Sequence, residues 1–294
     1  MFLGFLYIVL ASMAFGFSPV FATVSMSRGL DAQSLIAFSN AFAVIGTAAA
    51  LVISRTPLKV TGRQLWQLLV FSAGGYGLTE VLLVNSYRFL PIGLATMFHF
   101  IYPVIVTIIM VILYKERISV LKITAIAAAL GGLFLILDRS GNLSLKGAAL
   151  AASSGCAYAL YVVANHKAAY RELPALTVTF FTALFVGSGF AVFQLATGRL
   201  MLPPDGTVWL LTVVSGLVTH LFAVLMLISA VRRIGASNAA VGNLLEPMTS
   251  LLAGAVVFSD KLPLLSLGGC ALVLSAILLI TLDERRAMKR RGIT

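Results

Sequence analysis

Ten apolar runs, joined by connectors too short to hold a folded domain, leave this chain few ways to exist. They are Leu3–Val24, Ser34–Ser54, Leu65–Ser86, Ile92–Leu113, Leu121–Leu137, Gly147–Asn165, Leu176–Thr197, Val208–Ser229, Ser237–Phe258 and Leu264–Leu282. Runs of about twenty apolar residues match the hydrocarbon thickness of a bilayer. In that solvent the backbone must satisfy its own polar groups, which for runs of this length means helices. With 60% hydrophobic and 11% charged residues, the chain is too apolar for a soluble fold of 294 residues. The expected fold class is an all-α integral membrane protein with ten transmembrane helices. The first run has no basic leader and no small-residue cleavage site, so it reads as a retained helix rather than a signal peptide.

The basic residues orient the spans. Fifteen of the 21 Lys and Arg fall in one alternate set of connectors and the C-terminal tail: Arg55 to Arg63, Lys115 to Lys122, Lys167 and Arg171, Arg232 and Arg233, then Arg285 to Arg291. The opposite set holds only Arg28, Arg88, Arg139, Lys146, Arg199 and Lys261. Positive connectors stay in the cytoplasm, so both termini are expected there, in agreement with an even number of spans. The net charge of +11 is thereby assigned to membrane topology, and nucleic acid is not an expected partner. The tail ERRAMKRR either meets anionic headgroups or ends solvated. Cys156 and Cys270 both lie inside spans and form no metal or disulfide pattern, and no motif calls for a cofactor.

Placing Pro103 on Pro247, an offset of 144, brings Arg88 onto Arg232, Ala95 onto Ala239, His99 onto Asn243, Glu116 onto Asp260 and Arg117 onto Lys261. One residue off that register, Gly4 falls on Gly147, Ala14 on Ala157 and Val20 on Val163. The chain therefore divides into two repeats, residues 1–142 and 143–294, of five spans each. An odd number of spans forces the second repeat to enter the membrane from the other side, so the repeats are inverted. Carriers use that arrangement to expose one central site to each face in turn.

These features resemble a known family. Ten spans in two five-helix repeats, with IYPVIVTIIMVILYKER in the first and LLEPMTSLLAGAVVFSDK in the second, are similar to the EamA-type branch of the drug/metabolite transporter superfamily, over essentially the whole chain. The resemblance implies a bacterial-type secondary carrier, often an exporter of amino acids or related metabolites in the cytoplasmic membrane. Leu245-Glu246-Pro247 matches the family's leucine-glutamate-proline signature. Ser259-Asp260-Lys261 departs mildly from the glycine-acid ending common there. Because the signature is widely shared, it implies a scaffold or coupling role for Glu246 rather than substrate choice.

Residue by residue, only Glu80 and Glu246 among the ten acids lie inside spans, and no Lys or Arg lies well inside one. An acid at the centre of a membrane helix costs about 2.5–3.5 kcal/mol on insertion scales, so it is read as functional unless it is a protonated structural group. Glu246 is the candidate coupling residue, taking and releasing a proton in the cycle, and Glu80 is weighed evenly against vestibule solvation. Pro103 and Pro247 break their helices and disturb hydrogen bonds to the carbonyls of His99 and Asn243, unless they serve only as kinks. Tyr76 and His220 pair by the same offset near mid-depth. Tyr102, Tyr158 and Tyr161 supply aromatic surface for an organic substrate or its ammonium group. These residues are expected to line a water-accessible cavity between the repeats. Ala127-Ala128-Gly131-Gly132 and Gly268-Gly269 read as close helix packing.

The expected function is a secondary active transporter, an exporter of amino acids or related small metabolites, with protons as the candidate coupling ion and the lipid bilayer as its other partner. The alternative is an uptake carrier or facilitator for an organic cation or nucleoside-like metabolite. Of other classes, an ion channel lacks a filter-like loop. An intramembrane enzyme lacks a motif: there is no HExxH, and Val186-Gly187-Ser188-Gly189 lacks the glycine two residues before the serine.

Overall fold

The computed structural model describes residues 2–90, 92–116, 118–136, 144–258 and 264–290, and every regular element among them is helical. The membrane helices are α1 (Phe2–Ser27), α2 (Ala32–Ile53), α3 (Gly62–Ser86), α4 (Ile92–His99, then Tyr102–Tyr114), α5 (Val120–Ile136), α6 (Leu145–Lys167), α7 (Ala175–Ala196), α8 (Gly206–Ile234), α9 (Ala236–Gly242, then Leu245–Phe258) and α10 (Leu264–Arg290). Among the described residues eight helices are long and apolar enough to cross a membrane, and α5 and α10 contain the shorter apolar stretches Val120–Leu135 and Leu267–Ile280. The 17 residues of α5 rise about 25 Å, near the thickness of the hydrocarbon core. The backbone of α10 stays helical through the tail sequence to Arg290.

Polar side chains just outside the apolar runs set where helices begin. Asp31 Oδ1 accepts from the N–H groups of Gln33 (3.0 Å) and Ser34 (3.1 Å) at the head of α2, and Asp205 accepts from Val208 (2.9 Å) at the head of α8. Thr61 and Gln64 form a reciprocal capping box on α3. The turn from α8 into α9 takes one residue, Gly235 at φ +84°, a conformation that glycine adopts without a Cβ penalty.

The two repeats are visible in the element limits themselves. Helices α2 and α7 start at Ala32 and Ala175 and end at Ile53 and Ala196, an offset of 143 at both ends. Helices α3 and α8 start at Gly62 and Gly206, and α5 and α10 at Val120 and Leu264, an offset of 144. Packing obeys the same exchange: α1 lies against α8 and α9 as α6 lies against α3 and α4, and α2 meets α8 as α7 meets α3. The pairs α5–α10, α2–α7 and α4–α9 close on themselves. Equivalent atoms meet too. A methyl group on Gly4 would lie 2.5 Å from the Ile234 side chain, and one on Gly147 would lie 2.6 Å from the side chain of Leu90, the repeat partner of Ile234. With five helices per repeat, the relating axis lies in the membrane plane.

Lipid offers no hydrophobic drive for helix association, so close backbone approach carries the packing. A methyl group on Gly132 would lie 2.6 Å from the Gly269 carbonyl oxygen, which joins α5 to α10, while Gly131 and Gly268 face open space. Large apolar side chains such as Ile53 and Val256, each 83% exposed, form the lipid-facing surface. The symmetry has one clear exception. Helix α1 is interrupted at Phe17, where Pro19 starts a second segment, whereas α6 runs unbroken.

Candidate functional site

Apart from α1, four helices depart from regular geometry, and they do so as two repeat-related pairs. Helix α3 contains a π-helical turn at Ser72–Gly77 and α8 one at Gly216–Ala223, both beginning at the same repeat position. Such turns widen the helix, rotate the side chains they carry, and concentrate at functional sites. Here they hold Tyr76 and His220, which are repeat partners, with the Tyr76 hydroxyl 3.5 Å from His220 Nδ1. A contact between equivalent residues lies on the pseudo-two-fold axis.

The second pair is the broken helices. The first half of α4 ends at His99 and that of α9 at Gly242. The second halves begin at Tyr102 and Leu245, so Pro103 and Pro247 sit in first turns, where a missing N–H costs nothing. The prolines thus start half-helices rather than kink continuous ones. The carbonyl of Asn243, expected to be released by Pro247, instead accepts the Glu246 N–H at 3.0 Å. The His99 carbonyl is pressed against α6, where a methyl group on Gly155 would lie 2.5 Å away.

Around these breaks the sequence-derived candidates gather. Asn243, fully buried, donates from Nδ2 to Glu246 Oε2 at 2.9 Å, and its Oδ1 accepts from Ser12 Oγ on α1 at 2.9 Å. On the other repeat His99 Nδ1 lies 2.9 Å from Ser154 Oγ on α6. Tyr102 Oη donates to the Ala240 carbonyl at 3.3 Å, joining α4 to α9. The rings form a continuous chain: His99 to Tyr158 at 5.4 Å, Tyr102 edge-on to Tyr158 at 4.8 Å, Tyr158 to Tyr161 at 6.1 Å, Tyr161 to Tyr76 at 5.2 Å, and Tyr76 to His220 at 6.4 Å. Glu80, one turn beyond Tyr76 on α3, is half-buried. Six helices therefore bring Ser12, Tyr76, Glu80, His99, Tyr102, Ser154, Tyr158, Tyr161, His220, Asn243 and Glu246 together. Among the described residues no group of three or more His, Cys, Asp or Glu is placed to hold a metal ion.

The cluster also differs from the sequence expectation in its packing: its rings pack on one another instead of lining an open central cavity. Tyr76, His99, Tyr102, Tyr158, Tyr161 and His220 are all at most 8% exposed, because aromatic side chains fill the space that the helix breaks create. A hollow of about 1100 Å³ lies beside the cluster instead. It is walled by Gly74, Gly77 and Val81 of α3 and Phe185, Gly189 and Phe193 of α7, and it is rimmed by Asp31, Arg88 and Arg199. Ala73, Gly74 and Gly77 belong to the π-helical turn that carries Tyr76, so the hollow abuts the cluster without being lined by its rings.

Sequence reasoning missed Ser12 and Ser154. A serine in a membrane helix ordinarily bonds its own upstream carbonyl, as Ser12 also does to Ile8 at 2.8 Å, and looks inert. The repeat register could have flagged them, since they lie one residue apart in it and each faces one of the repeat partners His99 and Asn243. Thr219 was missed too: its hydroxyl is buried beside His220 without a hydrogen-bond partner. The glycine-serine stretch in α7 serves packing, with Ser188 Oγ on the Leu184 carbonyl at 2.6 Å and Gly187 against Asn40. Both cysteines are free thiols.

The geometry can be set beside known proteins. A family model described as the EamA-like transporter family matches residues 2–138 and again residues 145–282, one match per repeat. No curated protein matches the chain. A protein of known crystal structure has the same fold, with a TM-score of 0.83 over 97% of this chain and 98% of that one, at 19% sequence identity.

Proposed function

We infer the function from one premise: the chain belongs to the EamA-like transporter family, and it is a multi-pass membrane transporter. On our reading it is a secondary active carrier that exports amino acids or related small metabolites across the cytoplasmic membrane by alternating access, with both termini in the cytoplasm. The substrate meets the aromatic chain from His99 to His220, and Glu246 couples transport to protons.

The observation that carries this reading is the Ser12–Asn243–Glu246 network at the break of α9, one hydrogen bond away from α1 and one ring away from α6. An acid held at a half-helix start, among polar partners on helices from both repeats, has a protonation state that both repeats sense. Broken helices at a repeat interface are where carriers place substrate and coupling ion. The second reading, an organic cation as substrate, is favoured by the four neighbouring phenol rings of Tyr76, Tyr102, Tyr158 and Tyr161. Faces of that kind attract ammonium groups by about 0.5–2 kcal/mol each.

Counterflow in proteoliposomes, against a panel of amino acids, amines and nucleoside-like metabolites with and without a pH gradient, tests the function. The reading expects saturable counterflow of at least one unmodified panel member, faster or more concentrative with the gradient. Recovery of a chemically altered compound would assign an enzyme instead. Flux that neither saturates nor exchanges would assign a channel.

A further inference from the structure

Arg232 ends α8 and fastens one end of the bundle. Its Nη1 donates to the Leu173 carbonyl at 2.5 Å and its Nη2 to the Tyr170 carbonyl at 3.5 Å, tying α8 to the connector between α6 and α7. The start of α3 grips the same connector: Gln67 Oε1 accepts the Ala169 N–H at 2.8 Å and Gln64 Nε2 donates to the Ala169 carbonyl at 3.3 Å. At this end, on the side of the chain's N-terminus, α3 and α8 are thus tied to one connector.

The repeat register names the counterparts at the opposite end. Arg232 corresponds to Arg88 by the offset of 144, and Leu173 and Tyr170 correspond to Leu30 and Ser27 by the offset of 143. The next position is the N-cap of the following helix in both repeats, Pro174 on α7 and Asp31 on α2. Yet Arg88 is exposed on the rim of the hollow and makes no hydrogen bond or ion pair among the described residues, and Asp31 stands on the same rim. Asp31 is also incomplete. Its Oδ1 accepts from Gln33, Ser34 and Gln194, while its Oδ2 is buried without a partner.

We propose that Arg88 is a positioning residue for transport: when the hollow closes, its guanidinium docks on the Leu30 carbonyl and Asp31 Oδ2, as Arg232 now docks on Leu173 and Tyr170. The two arginine clamps alternate, one made at each end of the cycle. A carboxylate replaces Pro174 at the Arg88 end, so that clamp is an ion pair with a fixed fork geometry, which lysine reproduces poorly. The proposal rests on the alternating-access reading, and its test does not use transport.

In a chain with Cys156→Ala and Cys270→Ala, a single reporter cysteine at Asn85, which lines the hollow, is labelled with a membrane-impermeant maleimide. Removing a clamp shifts the balance between the two states, and conformational couplings are commonly fivefold or more. Arg88→Ala is expected to hold the hollow open and to raise the labelling rate or leave it at its ceiling. Arg232→Ala is expected to lower the rate about fivefold or more, and adding Arg88→Ala to Arg232→Ala is expected to restore it. Asp31→Asn keeps the cap but removes the charge, and is expected to restore labelling in the Arg232→Ala background as Arg88→Ala does. Equal, parallel changes in the two arginine variants, or a double variant that stays slow, would overturn the proposal. Absence of counterflow alongside opposite labelling shifts would overturn the carrier reading alone.

Discussion

Substituting Gly155 by alanine tests whether α4 and α6 are held as closely as the site requires. The added methyl would lie 2.5 Å from the His99 carbonyl oxygen and 3.1 Å from the Ile101 side chain. A carbon and a carbonyl oxygen settle at about 3.3 Å or more, so the helices must part by about 0.8 Å. The neighbouring His99–Ser154 bond, now 2.9 Å, then stretches past hydrogen-bonding reach. Overpacking a tight contact costs about 1–3 kcal/mol and the lost hydrogen bond about 1, while alanine is favoured over glycine in a helix by about 1 kcal/mol. The expected net loss is about 1–3 kcal/mol. Gly131→Ala is the control: nothing lies within 4 Å of the added methyl, so only the helix preference remains and the change is a gain of about 0.5–1 kcal/mol. Reversible unfolding in mixed micelles, followed by circular dichroism, measures both. A Gly155→Ala protein as stable as the Gly131→Ala protein would refute the reasoning.

Other expectations follow from the same contacts. A double-mutant cycle of Ser12→Ala and Asn243→Ala should give a coupling of about 0.6 kcal/mol in unfolding free energy and at most about 1.7, the mean and the maximum for polar contacts between membrane helices; no coupling would show that the 2.9 Å contact does not join α1 to α9. Gly4→Ala and Gly147→Ala meet equivalent side chains at opposite ends of the bundle, so their costs should be similar and should add within about 0.5 kcal/mol. Cysteines placed at Asn142 and Lys261, both outside the described residues, should react with an impermeant reagent from the extracytoplasmic side only. Reaction from the cytoplasm alone would reverse the orientation.

Much of the fold was legible because a bilayer imposes one length on every helix. The structure's α2, Ala32–Ile53, lies within two residues of the apolar run Ser34–Ser54 at each end, and Asp31 was there to cap it. The repeat was legible through Pro103 and Pro247, since a proline inside an apolar run is costly enough to mark a position. The matching acid-base pairs are less transparent. Among the described residues Glu116 bonds Lys122 at 2.8 Å, while Arg117, Asp260 and Lys261 lie outside the described residues.

The site was only half legible. Polar residues next to the prolines stand out against an apolar background, and the structure brings His99, Tyr102, Asn243 and Glu246 together with Tyr76, Tyr158, Tyr161 and His220. The π-helical turns left no such mark: Ser72–Gly77 is rich in glycine and Gly216–Ala223 is not, so nothing in composition distinguishes a widened turn from an ordinary one. The packed state of the rings was equally hidden, because polarity predicts that side chains face inward but not whether they meet one another or enclose a space. Arg232 read as one more cytoplasmic charge. Its hold on Leu173 and Tyr170 depends on a connector fold that charge counting does not see.

The most direct test of the account is Glu246→Gln in proteoliposomes. Glutamine keeps the volume and can still bond Asn243, but it fixes a neutral side chain where Asn243 Nδ2 now meets Glu246 Oε2 at 2.9 Å. The account predicts that substrate exchange persists at least in part while accumulation driven by a pH gradient disappears, with Glu246→Ala losing both because Asn243 is left without its acceptor. A Gln variant that concentrates substrate with the pH gradient as well as the parent does would contradict it, and so would a parent protein that ignores the gradient.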